Sequence, residues 1–167
     1  MEKELPKRKP LRLTNFDYSS TGAYFITICT ENRKNLLSTV VGEGLAPPAV
    51  QLKLCGKVAQ KQLLLLEQRY PNVKIDKYVI MPNHIHLIII LRKGAGGASP
   101  SPTVSDVICT FKSLTARICK QEYGVEKIFQ RSYIDHIIRD RDDYETRVKY
   151  IYENPLRWHY DELYSDE

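Results

Sequence analysis

"VKIDKYVIMPNHIHLIIILR", residues 73 to 92, holds two strand-like runs, 73–81 and 84–92, parted only by Pro82 and Asn83. A Pro-Asn pair marks a turn, so the runs are expected to pair as an antiparallel hairpin. In a strand, residues i and i+2 share a face, which sets His84 and His86 side by side while Ile85 and Leu87 pack on the other face. Two imidazoles aimed at one point suit a divalent cation. The alternative is a pair of sheet-edge histidines that only make hydrogen bonds. The pair heads its strand beside a turn, where solvent and substrate enter. A two-histidine site leaves coordination positions open for a substrate oxygen, so a third protein ligand is expected elsewhere in the chain.

Upstream, "AYFITICT" (23–30) is dense in aromatic and β-branched residues and reads as a strand. "VVGEGLAPPAV" (40–50) reads as a surface loop. "LKLCGKVAQKQLLLLEQRY" (52–70) carries Leu52, Cys55, Ala59, Leu63 and Leu66 at helical spacing and is stopped by Pro71. Downstream of the hairpin, the Gly/Ser/Pro-rich stretch 94–102 reads as a flexible loop. A helix over 103–124 then opens on a Thr103-x-x-Asp106 capping pattern, with Val107, Phe111, Leu114 and Ile118 on one face and Gly124 at its end. "SYIDHIIRD" (132–140) alternates as a fourth strand, and "DDYETRVKYIYEN" (142–154) is a third helix with acidic residues in its first turn.

The order β-α-β-β-α-β-α predicts an α+β, ferredoxin-like fold: a four-stranded antiparallel sheet with two helices on one face, plus a C-terminal helix. At 167 residues a single domain, 1–167, is expected, with a basic tail at 1–12. There is no twenty-residue apolar span and no apolar leader at the start of the sequence. A cytoplasmic protein without a membrane partner is the expectation. Cys29, Cys55, Cys109 and Cys119 are scattered, which argues against a disulfide framework or a thiolate zinc site and for reduced core residues. The net charge of +5 favours an acidic partner such as nucleic acid.

On the C-terminal helix, Tyr144, Val148 and Ile151 form the apolar stripe, while Tyr150 and Asn154, four residues apart, lie together on its flank. Pro155 disfavours continued helix, so the Asn154 amide falls at a helix end or kink with its carbonyl oxygen available to a cation. Spacing alone favours the plainer reading of Tyr150 as a half-buried aromatic and Asn154 as a C-terminal capping residue.

"YVIMPNHIHLIIIL", together with "FQRSYIDHIIRDRDDYETRVKYIYENPLRW", resembles the single-tyrosine HUH transposases of bacterial insertion sequences, and most of all their REP-associated branch. "YSSTGAYFITICTENR" and "FKSLTARI" extend the likeness, in order, from about Leu13 to Leu163. The combination of the histidine pair with Y-I-x-x-N-P downstream is the specific part. The resemblance implies a ferredoxin-like fold, Mg²⁺ or Mn²⁺ held by His84, His86 and Asn154, and Tyr150 on the C-terminal helix as nucleophile. It implies metal-assisted cleavage and rejoining of single-stranded DNA next to hairpins or palindromic repeats, through a 5′-phosphotyrosine. Many relatives carry Gln where Asn154 stands, and the shorter amide must approach the cation more closely. A homodimer that exchanges C-terminal helices is an arrangement known among relatives.

Lys112, Arg117, Arg131, Arg139 and Arg157 are candidate DNA contacts, within a wider basic group that includes Arg33, Lys34, Lys120, Arg141 and the tail. Trp158 reads as a packing residue and His136 as a satisfied sheet histidine, while Tyr133 and Asp135 fall on the opposite face of their strand. Two other readings compete: a non-catalytic hairpin DNA- or RNA-binding module on the same fold, and a metal-dependent phosphodiesterase using water, for which Tyr150 is dispensable.

Overall fold

β-Branched and aromatic residues at alternating positions build four long-range strands in the computed structural model, which describes residues 17, 20–42, 48–94 and 101–166. β1 (Gly22–Cys29), β4 (Val73–Ile80), β5 (His84–Leu91) and β6 (Ile134–Ile138) form one antiparallel sheet in the order β4-β5-β1-β6. This is the ferredoxin-like order that the sequence predicts. β4 and β5 are joined through Met81-Pro82-Asn83, with the Met81 amide donating to the His84 carbonyl at 2.9 Å. The tail at 1–12 and all of the 94–102 loop except Gly94, Ser101 and Pro102 lie outside the described residues.

One face of the sheet is covered by α1 (Leu54–Leu64), α2 (Leu66–Arg69) and α3 (Val104–Tyr123). Tyr24, Ile26, Ile28, Ile85, Leu87 and Ile89 from the strands meet Ala59, Leu63, Leu66, Val107 and Phe111 from the helices in one buried cluster. Each large side chain taken from water contributes roughly 1.5–3 kcal/mol. The expected helix over 52–70 is interrupted at Leu65, and Leu52 belongs to a strand instead. Gly56 lies so close to Leu37 that an added Cβ would sit 1.9 Å from the Leu37 carbonyl oxygen, so the helix accepts glycine there for close approach. α3 carries the reciprocal Thr103–Asp106 capping box and ends at Gly124 in the left-handed conformation, φ 68°. Its buried stripe runs through Val104, Val107, Ile108, Phe111, Thr115 and Cys119, rotated from the expected Leu114–Ile118 line.

The segment 40–50 is corrected from a loop. β2 (Ser38–Val41) and β3 (Ala49–Leu52) pair antiparallel as a separate two-stranded sheet, with Val40 opposite Val50. The Gly and Pro residues between them dominate the local composition and mask two short β-branched runs. Residues 43–47 lie outside the description. Cys29, Cys55 and Cys119 are buried free thiols, but Cys109 is exposed on α3 and not part of the core. No helix among the described residues is long and apolar enough to cross a membrane.

The other face of the sheet receives α4 (Arg141–Glu153). Val148, Ile151 and Tyr144 pack on Phe25, Ile88, Val79 and Ile138. Asp140 caps the helix, accepting from the Asp143 amide at 2.8 Å. The Tyr144 hydroxyl donates to Asp76 at 2.5 Å, at the irregularity between Ile75 and Lys77 in β4. α4 is thereby set across the half of the sheet that carries the histidines.

Candidate metal and nucleophile site

The alternation of β5 points His84 and His86 to the α4 face, with ring centroids 4.5 Å apart, and both are buried. His84 Nδ1 lies 2.8 Å from Asn83 Oδ1. The Asn83 amide nitrogen donates to the carbonyls of Leu163 (2.7 Å) and Arg33 (3.2 Å), which fixes the amide with its oxygen toward the ring. His84 Nδ1 must therefore be the donor, leaving a lone pair on Nε2. His86 Nδ1 is 2.9 Å from the Thr27 hydroxyl, which can accept in the same way. Both Nε2 atoms are buried without a hydrogen-bond partner. Burial, opposed by Asp161, lowers the His84 pKa to about 4, and burial together with His84 holds His86 well below its ordinary value, so both rings are neutral at pH 7.

α4 ends at Asn154, which keeps right-handed helical angles and is 3% exposed, and a 3-10 turn over Pro155–Tyr160 follows. Buried Trp158 packs its ring 5.9 Å from that of His84. The turn delivers Asp161 back to the strand head. Asn154 Nδ2 donates to Asp161 Oδ2 at 2.7 Å, the Leu163 amide donates to Asp161 Oδ1 at 2.7 Å, and Asn154 Oδ1 is buried without a partner. One ligand atom each from His84, His86 and Asp161 falls within 4.8 Å of the others. His84 Nε2 and Asp161 Oδ2 stand 4.0 Å apart, too far for a hydrogen bond, and a neutral ring makes no ion pair. Unpartnered imidazole nitrogens, a free amide oxygen and a carboxylate are donors that fit a divalent cation with nitrogen and oxygen ligands.

Tyr150 lies on the flank of α4 beside this group. Its ring is 5.0 Å from that of His86 in an edge-on arrangement and 6.0 Å from that of Phe25. Tyr150 is 43% exposed, unlike the buried histidines beside it. Burial, then Asp161 and Glu162, push its pKa up, while Arg147 and Asn154 act the other way.

Of the expected residues, the fold brings together His84, His86, Tyr150 and Asn154. It does not bring the candidate DNA contacts there as a group. Lys112 spends its ammonium on the carbonyls of Gln130 (2.6 Å), Arg131 (2.9 Å) and Ser132 (3.3 Å). Exposed Arg117 is on α3, behind the opposite face of the sheet. Arg131 and Arg139 are exposed, and Arg157 pairs with Glu153 at 3.1 Å. His136 is satisfied by Asp143 at 2.7 Å, and Tyr133 is buried in the helix-side core. Asp161, Asn83, Thr27 and Arg147 belong to the site or its support and were not picked out by sequence reasoning. Asn83 alone had a signal, as the residue just before the pair, and it reads there as a turn former.

The family described as "Transposase IS200 like" matches residues 18–154. An uncharacterized protein of Haemophilus influenzae is 30% identical over 95% of this chain and 94% of its own length. A REP-associated tyrosine transposase of Escherichia coli is 27% identical over 84% of this chain and 70% of its own. Among solved structures, a REP-associated tyrosine transposase bound to a REP hairpin superposes with a TM-score of 0.62, at 22% identity, over 87% of this chain and 73% of that one. This last likeness establishes the ferredoxin-like fold.

Proposed function

The chain belongs to the IS200-like transposase family, and on that premise we propose that it cleaves and rejoins single-stranded DNA beside hairpins, using Tyr150 as the nucleophile. The observation that carries this reading is the placement of a half-exposed tyrosine ring 5.0 Å from a buried histidine whose Nε2 has no partner. His84 and His86, through their Nε2 atoms, and Asn154 Oδ1 or Asp161 Oδ2 would hold Mg²⁺ or Mn²⁺. When bound, the cation neutralises charge on a phosphate oxygen as the transition state forms.

Attack by the Tyr150 oxygen on phosphorus forms the P–O(Tyr) bond and breaks the bond to the 3′ oxygen, which leaves as a hydroxyl. The strand then carries a 5′-phosphotyrosine that retains the bond energy for rejoining. At neutral pH the phenol is protonated, because an ordinary tyrosine pKa is near 10 and burial here raises it. Chemistry therefore requires that the proton be lost as the bond forms. Asn83 keeps the His84 ring in the tautomer that ligates, the Thr27 hydroxyl can accept from His86 Nδ1 to favour the same tautomer there, and Trp158 packs beside the His84 ring. The hairpin as landmark is supported by the REP hairpin bound in the structural relative.

The test is a denaturing gel of purified protein incubated with labelled hairpin oligonucleotides and Mn²⁺. The expected result is a shifted protein–DNA band that disappears with EDTA, Tyr150→Phe or His84→Ala. Cleavage that survives Tyr150→Phe would overturn the reading in favour of a water nucleophile, and binding without cleavage would favour a recognition module.

A further inference from the structure

We infer that Arg147, braced by Asp143 over the Phe25 ring, is a phosphate anchor of the same site, receiving a backbone phosphate of the strand that lies against Tyr150. The inference rests on the proposed function. Arg147 shares one flank of α4 with Tyr150 and Asn154, at offsets of three and seven residues. Its guanidinium carbon is 5.4 Å from the Phe25 centroid. Phe25 in turn stacks on His86 at 5.3 Å and 19° and meets the Tyr150 ring edge-on. One aromatic side chain thus spaces the cation, the candidate nucleophile and a candidate ligand.

The guanidinium is held on one side only. Arg147 Nε donates to Asp143 Oδ1 at 3.2 Å. The Asp143 carboxylate is itself fixed by His136 Nε2 at 2.7 Å and by the Arg139 amide at 3.3 Å. His136 stands opposite Phe25 on the edge strand, so two elements brace the acid. Arg147 Nη2 lies 3.4 Å from the same His136 Nε2, but that nitrogen already serves Asp143 and has nothing left for a second bond. Nη1 meets no acceptor among the described residues, and the side chain is 32% exposed. A planar fork with one edge anchored and the other open matches a phosphate.

Electrostatics favours such a group here. Asp161 and Glu162 both act on Tyr150, and they would repel a phosphodiester approaching it, while Arg147 is the cation that counters them. Asp143 and His136 are positioning residues that act through Arg147.

The test uses the full chain carrying Tyr150→Phe, so that binding is read without cleavage. Fluorescence anisotropy is measured with a labelled hairpin oligonucleotide bearing a single-stranded flank, whose phosphates are replaced one at a time by neutral methylphosphonates. Arg147→Ala is expected to weaken binding by about tenfold to a hundredfold and to lower the slope of log K against log salt by about 0.7. One methylphosphonate position should weaken binding to the Arg147 protein and leave Arg147→Ala indifferent. Arg147→Lys should restore the slope but only part of the affinity, and His136→Gln should weaken coupling at that same position. Loss of thermal stability in Arg147→Ala without coupling to any phosphate overturns the inference and leaves Arg147 as a helix brace. In that event, adduct formation by the chain with Tyr150 intact keeps the proposed function standing. A chain that binds none of the hairpin oligonucleotides overturns both.

Discussion

On the helix-covered face of the sheet, Ile26, Leu87 and Phe111 are fully buried among apolar neighbours; the α4 face has Thr27, His84 and His86 at adjoining strand positions. Both faces exclude water, but they do so differently. On the first, Thr115 Oγ1 and Asp135 Oδ1 are isolated polar atoms without partners. On the second, His84 Nε2, His86 Nε2 and Asn154 Oδ1 gather around Asp161. A buried group left unpaired costs about 1–3 kcal/mol, so three such atoms in one place represent stability given up by one face and supplied by the other. The difference teaches that the histidine face gathers its unpaired polar atoms at one point, whereas the helix-covered face leaves them scattered amid apolar packing.

Stability should separate the two faces most sharply at Phe111. Phe111→Ala is expected to lose roughly 3–5 kcal/mol in urea unfolding, and a loss below 1 kcal/mol would break the division of labour. Next comes acidification of the metal-free protein. The His84 pKa is lowered in the fold from 6.5 to about 4, so below pH 6.5 the unfolded chain takes up a proton that the folded chain refuses. Stability should fall as pH drops through that window, with His84 contributing roughly 3 kcal/mol and His86, also held below its ordinary value, adding in the same direction, and His84→Gln should make the curve of unfolding free energy against pH less steep.

Mn²⁺ should act in the opposite sense. At a hundredfold excess over its Kd it should stabilise the folded chain by about 2.7 kcal/mol, visible as a rise in Tm. His84→Ala should abolish the rise and Tyr150→Phe should keep it. Asn154→Ala beside Asp161→Asn would then identify which side chain completes the site. The smallest effect on stability belongs to Tyr150→Phe, within about 0.5 kcal/mol by the same unfolding measurement, although adduct formation should vanish. A large destabilisation by Tyr150→Phe would make the tyrosine a structural residue of the α4 face and erase the contrast.

Much of this was legible along the chain. Alternation in 84–92 put both histidines on one face, the 3.6-residue repeat put Tyr150 and Asn154 on one flank, and Pro155 located the helix end. The two short strands flanking 42–48 were not legible, because their pairing is weakly patterned and Gly and Pro dominate the composition. The basic residues were no better guide: Lys112 is committed to loop carbonyls, whereas Arg147, which lies near Tyr150, has nothing in its local sequence to mark it out.

The sequence by itself determined which side chains share a strand face or a helix flank, because those relations repeat every two or 3.6 residues and depend only on local backbone geometry. Tertiary structure alone decided what meets across elements. Thr27 reaches His86 over a separation of 59 residues through the β1–β5 register, and Asn83 bonds to the Leu163 carbonyl over 80. Asp161 enters the site only because the chain turns back after Pro155. Contacts of that kind depend on how separate elements pack and where the chain reverses, and no short-range pattern in the residues encodes either.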